Sequence, residues 1–278
     1  AIFETIVSKV ISKKEKIFFA DHSKAHACYA YYLTPPKHRT DDHLVLTLDA
    51  FGDNVNYSAR IFSLNKEQVK DRVVCEGNDF IIGRLYRYIT LILGLKPNEH
   101  EYKVMGMAPY CKEEYYTPLF DQFKKIQDVQ DLRFEYLNKP KDLYFSIRDM
   151  LEGERFDTIC GALQAYTEHL IVTWVRNLIQ ATGIRRISIA GGVAMNVKAN
   201  MLVAQLPEVE FLHIPPSPDD SSQSMGAAFA WLHDKNDQDR AALCSTYLPY
   251  QGRKVEVQGC RQIEDLIREE FLKSGAEV

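Results

Sequence analysis

Two histidines stand four residues apart in the stretch DHSKAHACYAYYL, at His22 and His26. Residues at this spacing on a helix share one face, about 5 to 6 Å apart at Cβ, so both imidazoles can reach a single cation. The chain has eight histidines, and the same spacing also arises without any ligand role. A metal site would therefore need further ligands from elsewhere in the sequence.

Two aspartates follow apolar segments that have the pattern of strands. Asp49 closes the run LVLTLD, and Asp220 lies in the turn after VEFLHI. A carboxylate at the carboxyl end of a strand in an α/β sheet projects toward the ligand cleft, so each is placed to join the histidines. Other roles compete, because Asp49 is also suited to an Asx turn and Asp219 to capping the following helix.

Two glycines and a charged pair are further candidates. Gly191 and Gly192 occupy a strand-to-helix junction in AGGVAMN, where backbone amides can approach a phosphate, although glycines also serve tight turns alone. In HEYKVMGMAPY, Glu101 and Lys103 lie beside Gly106. This pattern predicts a flexible segment that has either a binding role or an exposed ion pair.

The elements that must position these residues alternate between strand and helix. The pattern predicts helices at 1–11, 22–33, 82–93, 158–182 and 260–274, strands at 16–20, 44–48 and 58–64, and strand–turn–helix units at 185–200 and 209–232. We expect a loop-rich region after residue 64 and an irregular insertion at about 112–155. Strands followed by helices predict a parallel or mixed α/β sheet.

Composition argues against several classes of protein. Hydrophobic residues make up 46% and charged residues 26%, which is ordinary for a globular protein, and a net charge of −4 without a basic cluster argues against nucleic-acid binding. The sequence has neither a signal-peptide pattern nor an 18-residue apolar run for a membrane span. Six dispersed cysteines form no CxxC pair, which favours a reducing, cytoplasmic setting.

Five segments, in order, resemble the nodulation- and antibiotic-type O-carbamoyltransferases. They are DHSKAHACYAYY, LTLDAFGD, EYKVMGMAPY, GGVAMNVKAN and PPSPDDSSQSMGAA, between residues 21 and 228. The corresponding family patterns are HHxxHA, LDGxGD, ExKxMGLAxYG, GGVAxNxxxN and PxxxDxGxxxGAA. The resemblance implies an α/β fold of the actin/hexokinase-like (ribonuclease-H-like, ASKHA) type, shared with the tRNA threonylcarbamoyl-transfer subunit.

The resemblance also implies roles for individual residues. A divalent metal, expected to be iron(II), would engage the phosphate of a carbamoyl-adenylate and be surrounded by His22, His26, Asp49 and Asp220. Asp220 is preferred to Asp219 because it lies six residues before Gly226 of the GAA segment. The nucleotide would be contacted by Gly52, Asp53, Gly191, Gly192 and Asn196, with Glu101 and Lys103 near the nucleotide or the acceptor.

The implied reaction transfers a carbamoyl group to a hydroxyl acceptor such as a sugar, an antibiotic or an oligosaccharide. The donor would be a carbamoyl-adenylate made from ATP and carbamoyl phosphate. A metal on its phosphate would stabilise the charge that develops as AMP leaves. A carboxylate or an imidazole would assist deprotonation of the hydroxyl, and the sequence leaves open which one.

Three positions depart from the family pattern. Ala50 replaces the first glycine of LDGxGD, Ser222 replaces a glycine after Asp220, and Asp21 replaces a histidine before His22. These changes leave the expected ligands in place. They alter the expected shape of the turn and of the phosphate contact.

The family also has an N-terminal phosphate loop and a C-terminal YrdC-like domain, and this sequence carries the signature of neither. We therefore expect a fragment that does not turn over alone. Residues 1–43 would end the first ribonuclease-H-like half, residues 44–235 would form the second half, and residues 236–278 would connect to the YrdC-like domain.

Two other functions stay open at this point. A sugar-kinase-like ATPase of the same superfold would hold magnesium through carboxylates and give the histidine pair no role. A catalytically degenerate module that binds a nucleotide or a partner is suggested by Ala50, Ser222 and the segment 112–155. Metal preference separates the first from a carbamoyltransferase, and nucleotide binding without metal would indicate the second.

Overall fold

The computed structural model describes residues 18–39, 41–65 and 68–235, all within one compact unit of the chain. Its helices are α1 (His22–Leu33), α2 (Ile82–Ile92), α3 (Glu101–Met107), α4 (Glu113–Ile126), α5 (Leu143–Leu151), α6 (Phe156–Thr182), α7 (Val197–Ala204) and α8 (Gln223–His233). Its strands are β1 (His43–Leu48), β2 (Tyr57–Asn65), β3 (Gln68–Gly77), β4 (Gln127–Gln130), β5 (Arg133–Tyr136), β6 (Arg186–Ala190) and β7 (Phe211–His213).

The central sheet has five strands in the order β3-β2-β1-β6-β7. Strand β1 pairs in parallel with β6, and β6 pairs in parallel with β7. Strand β2 runs antiparallel to both of its neighbours, β1 and β3. This arrangement is ribonuclease-H-like, and it confirms the predicted mixed α/β sheet.

Strand β1 lies at the centre of this sheet and is buried along its whole length. Leu44, Leu46 and Leu48 pack into the hydrophobic cluster that includes α6, whereas Val45 packs into a second cluster with α1 and α8. A strand covered on both faces has a continuous apolar sequence, as HLVLTL nearly does. The helices therefore form a layer on each face of the sheet.

Helices α1 and α8 pack closely on one face. An added Cβ at Gly226 would lie 2.5 Å from the carbonyl oxygen of Ala25, so a glycine is required where the two helices meet. Helix α1 begins after Asp21, whose side chain accepts a hydrogen bond of 2.8 Å from the Lys24 N–H. It ends before two prolines, which disfavour helical backbone in the residue before them. The two ends of α1 are thus set by local sequence.

The structure confirms most of the predicted elements and corrects several others. Helices at 22–33, 82–93 and 158–182, strands at 44–48 and 58–64, and both strand–turn–helix units are present within a few residues. The predicted strand at 16–20 is wrong in its described part, because residues 18–20 have no regular structure. The predicted loop after residue 64 is also wrong, because β3 follows. Strand β3 lies at the sheet edge, where exposed charged residues interrupt the apolar pattern.

The expected irregular segment at 112–155 instead holds α4, the hairpin β4–β5 and α5. Its side chains Leu119, Phe123 and Phe134 are buried in the same cluster as β1. Pro118 lies inside α4, which made the helical pattern hard to recognise. The predicted flexible segment around Gly106 is likewise wrong, because Gly106 lies within α3.

Several predictions fall on residues that the structure does not describe. They are the helices at 1–11 and 260–274 and the connector at 236–278. The domain boundary at 43/44 stays a prediction. In the described part of the chain, no helix combines the length and apolar character needed to cross a membrane.

Candidate metal centre

Four side chains converge at the carboxyl end of β1, namely His22, His26, Asp49 and Asp220. One donor atom from each, an imidazole nitrogen or a carboxylate oxygen, lies within 4.8 Å of all the others. The histidines come from α1, Asp49 follows β1, and Asp220 opens the short 3-10 turn that leads into α8. The structure therefore brings the four predicted ligands together from three separate parts of the chain.

Both histidines face both carboxylates through their Nε2 atoms. Asp49 Oδ2 lies 3.1 Å from Nε2 of His22 and 3.1 Å from Nε2 of His26. Asp220 Oδ1 lies 3.3 Å from the first and 3.2 Å from the second. A proton on each Nε2 can be directed at only one oxygen at a time, whereas a cation can contact all four atoms. Imidazole nitrogen with carboxylate oxygen is a donor set that suits iron(II), manganese and zinc.

The cluster is enclosed on one side and open on the other. The side chains of His26 and Asp49 are 1% and 12% exposed, whereas that of Asp220 is 67% exposed. Catalytic metal sites keep a position open for substrate or water. The exposed Asp220 side of the cluster provides such a position.

The ionisation of the cluster follows from its own contacts. The hydrogen bond with Asp49 raises the pKa of His22, against the opposing effect of burial. Burial acts to raise the pKa of Asp49, but hydrogen bonds from His22, His26 and the Ala50 N–H act in the opposite direction and the net shift is downward, so the carboxylate stays ionised. The ionised Asp49 therefore places a negative charge beside the two histidines, and this charge attracts a proton or a cation.

The turn after β1 holds His22 in place. An added Cβ at Gly52 would lie 2.4 Å from the His22 ring, so the backbone at this glycine packs directly on the imidazole. Asp53 Oδ2 accepts a hydrogen bond of 3.0 Å from the His22 backbone N–H, and Asp49 Oδ1 accepts one of 2.6 Å from Ala50 N–H. Two of the residues predicted to contact the nucleotide, Gly52 and Asp53, thus lie beside His22, one of the four predicted metal ligands.

A buried trio of hydroxyls fixes α1 to the sheet below the cluster. Ser23 lies 3.0 Å from Thr47 and 2.9 Å from Ser58, and Thr47 lies 2.7 Å from Ser58. Ser23 follows His22 directly, and Thr47 lies two residues before Asp49. The trio therefore sets the register between the helix that carries the histidines and the strand that precedes Asp49.

The loop between β6 and α7 passes along the other side of Asp49. Gly191 has φ 95°, and an added Cβ there would lie 2.3 Å from the carbonyl oxygen of Leu48. An added Cβ at Gly192 would lie 3.3 Å from Asp49 Oδ1. Asn196 differs from these glycines, because its buried side chain accepts from Ala199 N–H at 3.0 Å and so caps α7.

Three other charged candidates make local contacts. Asp219 accepts a hydrogen bond of 3.3 Å from Ser221 N–H, so it caps the 3-10 turn Asp220–Ser222 that precedes α8 and not α8 itself. Glu101 accepts one of 2.6 Å from Asn98 N–H at the start of α3. Lys103 Nζ lies 5.8 Å from the centre of the Tyr102 ring. The nucleotide or acceptor roles of Glu101 and Lys103 stay predictions.

Sequence reasoning did not single out Tyr86 or Gln164, whose side chains bond to Asn196 behind the loop. The available signal was the glutamine itself. Gln164 lies in the apolar run TICGALQAY of α6, where an uncharged polar residue at a buried position must find hydrogen-bond partners.

The chain has a ribonuclease-H-like α/β fold with two histidines and two aspartates clustered at the carboxyl end of β1. Its class is therefore that of an α/β protein with a candidate metal site. Comparison with known proteins identifies the family. The family model described as "Carbamoyltransferase N-terminus" matches residues 2–229. The chain therefore belongs to the carbamoyltransferase family, as the five sequence motifs predicted.

Its curated relatives include two nodulation proteins. NolNO of Sinorhizobium fredii is 29% identical over 219 residues, which cover 77% of this chain and 31% of NolNO. NolO of Bradyrhizobium diazoefficiens is 26% identical over 212 residues, covering 75% and 37%. An uncharacterized protein of Synechocystis sp. is 26% identical over 262 residues, covering 87% and 42%. The chain spans less than half the length of these relatives.

Among solved structures, the chain is similar to component A of (R)-2-hydroxyglutaryl-CoA dehydratase from Acidaminococcus fermentans. The similarity has a TM-score of 0.41 at 14% identity and covers 77% of this chain and 69% of that one. A similarity of this size carries no argument about the site.

Proposed function

We propose that the chain provides the metal- and adenylate-binding part of an O-carbamoyltransferase. The reaction would transfer a carbamoyl group from a carbamoyl-adenylate, made from ATP and carbamoyl phosphate, to the hydroxyl of a sugar, antibiotic or oligosaccharide. The observation that carries this proposal is the convergence of His22, His26, Asp49 and Asp220 in a chain of the carbamoyltransferase family.

The donor set supports iron(II), or a similar transition-metal ion, as the bound cation. Magnesium prefers oxygen ligands and retains several waters, so two imidazoles within one group of four donors argue against a magnesium-dependent kinase-like ATPase. When bound there, the cation would supply positive charge to the phosphate of the departing AMP. His26 and Asp49, the buried members, would hold it from the protein side, and Asp220 would hold it at the open side.

The residues around the cluster support the approach of a phosphate. Gly52, Gly191 and Gly192 bring backbone close to His22, Leu48 and Asp49, where an added Cβ would meet these neighbours at 2.3 to 3.3 Å. Glycines allow backbone to lie close to a ligand or to another chain segment. These glycines therefore let the two loops pack tightly around the ligands, and an adenylate phosphate would reach the metal from the exposed Asp220 side.

A metal titration tests the first part of this proposal. Iron(II) is titrated anaerobically into the wild type, a His26→Ala variant and a His169→Ala variant. His169 pairs with Asp128 at 2.9 Å and lies outside the cluster, so it serves as the matched control. We expect His26→Ala to weaken binding by more than about 100-fold, since even residues that only support a ligand are worth 10- to 100-fold. Equal binding by all three proteins would remove the metal from the proposal.

A second titration tests whether the adenylate phosphate lies on the metal. Binding of AMP is measured with and without iron(II), and we expect at least about a tenfold higher affinity when the metal is present, because coupling between two ligands is reciprocal. Equal affinity in both conditions would contradict the proposed placement. A preference for magnesium, with ATP hydrolysis, would instead indicate the kinase-like ATPase.

A further inference from the structure

Three buried polar side chains lie behind the loop that passes Asp49, and we call them the amide cluster. They are Tyr86 of α2, Gln164 of α6 and Asn196 at the start of α7, which are 8%, 4% and 7% exposed. Burying such groups costs stability unless each one is hydrogen-bonded, and an apolar trio would pack α2, α6 and α7 without that requirement. Their presence therefore calls for a reason beyond packing.

The two amides of the cluster pair with each other. Gln164 Nε2 donates to Asn196 Oδ1 at 3.0 Å, and Asn196 Nδ2 donates to Gln164 Oε1 at 3.0 Å. Tyr86 O–H also donates to Gln164 Oε1 and accepts from Asn196 Nδ2 at 3.2 Å. Burial raises the pKa of Tyr86 well above its usual value, so the phenol keeps its proton and remains a donor.

The surroundings permit only one orientation of each amide. Asn196 Oδ1 must face the Ala199 N–H, which can only donate, so Nδ2 must face Tyr86 and Gln164. Gln164 Nε2 also donates to a carboxylate oxygen of Glu168 at 2.8 Å, and an ionised carboxylate only accepts. Both amides are therefore fixed by partners at either end, and a flip of one would break several hydrogen bonds at once.

The amide cluster holds two segments that flank the turn after β1. Asn196 ends the loop whose glycines lie against Leu48 and Asp49. Tyr86 lies on α2, and an added Cβ at Gly83 of the same helix would lie 2.6 Å from the Ala50 Cα. One set of hydrogen bonds thus determines how the loop and α2 sit on either side of Asp49 and Ala50.

We propose that Gln164 and Tyr86 are positioning residues for the nucleotide. They act through Asn196 to keep the loop from Gly191 to Met195 in the shape that receives the adenylate, and they touch neither metal nor substrate. The inference rests on the proposed function and extends it, because it gives Asn196 a support role in place of direct contact with the nucleotide.

The test compares nucleotide affinity, metal affinity and thermal stability in four proteins. They are the wild type, Gln164→Met, Tyr86→Phe and the control Trp174→Phe. The Met variant keeps the length of the side chain without its hydrogen bonds. Trp174 lies on the same helix as Gln164 and donates to the Leu132 carbonyl at 2.9 Å, so its replacement destabilises α6 away from the loop. Binding of AMP is measured with iron(II) present, well below each melting temperature.

We expect Gln164→Met to raise the Kd for AMP about tenfold, the loss typical of a supporting partner. Tyr86→Phe should raise it less, about threefold, because it removes the two hydrogen bonds of the Tyr86 hydroxyl and leaves the Gln164–Asn196 amide pair in place. Both variants should bind iron(II) within about twofold of the wild type, because the four ligands are untouched. Trp174→Phe should lower the melting temperature and leave the Kd for AMP unchanged.

The outcomes separate this inference from the proposed function. If the wild type binds AMP and Gln164→Met binds it equally well despite a lower melting temperature, the amide cluster is only structural and the inference is overturned. The same holds if Trp174→Phe weakens AMP binding as much as Gln164→Met. If the wild type itself binds no AMP while it binds iron(II), the nucleotide part of the proposed function fails first.

Discussion

Strand β1 has a buried ionisable side chain at each end, and one of the two is neutral whereas the other is charged. His43 is its first residue, and Asp49 follows its last. Both are buried. Burial lowers the pKa of His43 to about 3, so this histidine is neutral at physiological pH. Asp49 stays charged because two histidines donate to it.

The difference lies in the partners that each end offers. His43 Nε2 meets the hydroxyl of Ser188 at 2.8 Å, a neutral group that stabilises no charge. Asp49 Oδ2 lies 3.1 Å from each of two imidazole nitrogens, which can donate a hydrogen bond to it or share a cation with it. Burial disfavours a charge wherever it occurs, and a paired charge survives burial only with such compensation. The amino end of β1 therefore serves the core, and the carboxyl end has the charge that a metal site needs.

Of the substitutions at the two ends of β1, replacing Asp49 should have the largest effect, and this effect is on metal binding. In Asp49→Ala we expect iron(II) binding to be lost, because the substitution removes the buried carboxylate that lies 3.1 Å from both imidazoles. At a metal concentration of about 100 times Kd, the wild type should gain about 2.7 kcal/mol of unfolding free energy, and the variant should gain none. Chemical denaturation with and without iron(II) measures this. Asp219→Ala is the control, and it should respond to metal like the wild type.

A substitution in the loop behind Asp49 should lower the unfolding free energy by a similar amount. Gly191→Ala places a Cβ at φ 95° and 2.3 Å from the Leu48 carbonyl oxygen, so we expect a loss of about 3 kcal/mol in unfolding free energy. Gly183→Ala is matched in backbone conformation, with φ 72°, but has no atom within 4 Å of the added Cβ. It should cost only about 1 kcal/mol. Equal losses would show that the close approach to β1 contributes nothing.

His43, at the amino end of β1, should make the stability of the fold sensitive to acid. The folded-state pKa of His43 lies below its unfolded value of about 6.5, so the unfolded chain binds more protons between these values and stability falls as the pH drops. Between pH 6.5 and 4.5 we expect His43 to account for a loss of about 2 kcal/mol. His213, whose pKa burial lowers to about 4, adds a loss of the same sign.

Replacing His43 isolates its share of that loss. In His43→Phe the part due to His43 should vanish and the part due to His213 should remain, as urea denaturation at several pH values would show. Ser188 keeps a partner in the variant, because it also lies 2.7 Å from Thr34 Oγ1. An unchanged pH dependence would mean that His43 is charged or accessible in the folded protein.

The smallest effect on the pH dependence of stability should come from His22, and its sign should be opposite to that of His43. Its pKa is raised in the folded protein, so without metal it stabilises the fold at low pH and loses this contribution as the pH rises through the raised pKa. In metal-free His22→Gln, the stability gained on acidification toward pH 6 should therefore disappear. The change should be smaller than at His43, because the His22 side chain is 21% exposed. A shift of the same sign as at His43 would contradict the pairing with Asp49.

Elements with a strong repeating pattern were predictable from the sequence. Helices α1 and α6 combine clear helical spacing with a proline pair after one and Gly183 after the other, and β1 is almost uniformly apolar. Strand β3 and the segment from α4 to α5 were missed for a different reason. Their burial depends on neighbours far along the chain, so exposed charges and Pro118 obscured the local pattern.

The candidate site also has a part that the sequence predicts and a part that it does not. The sequence by itself determined the donors, since imidazoles four apart on a helix and carboxylates at strand ends follow from local pattern and motif order. Only the tertiary structure decided that they meet, because 194 residues separate His26 from Asp220 and the contact exists only when α1 packs against α8. It also decided that the Asn196 side chain bonds to Tyr86 and Gln164. The side-chain directions at such a junction depend on three helices that no local pattern brings together.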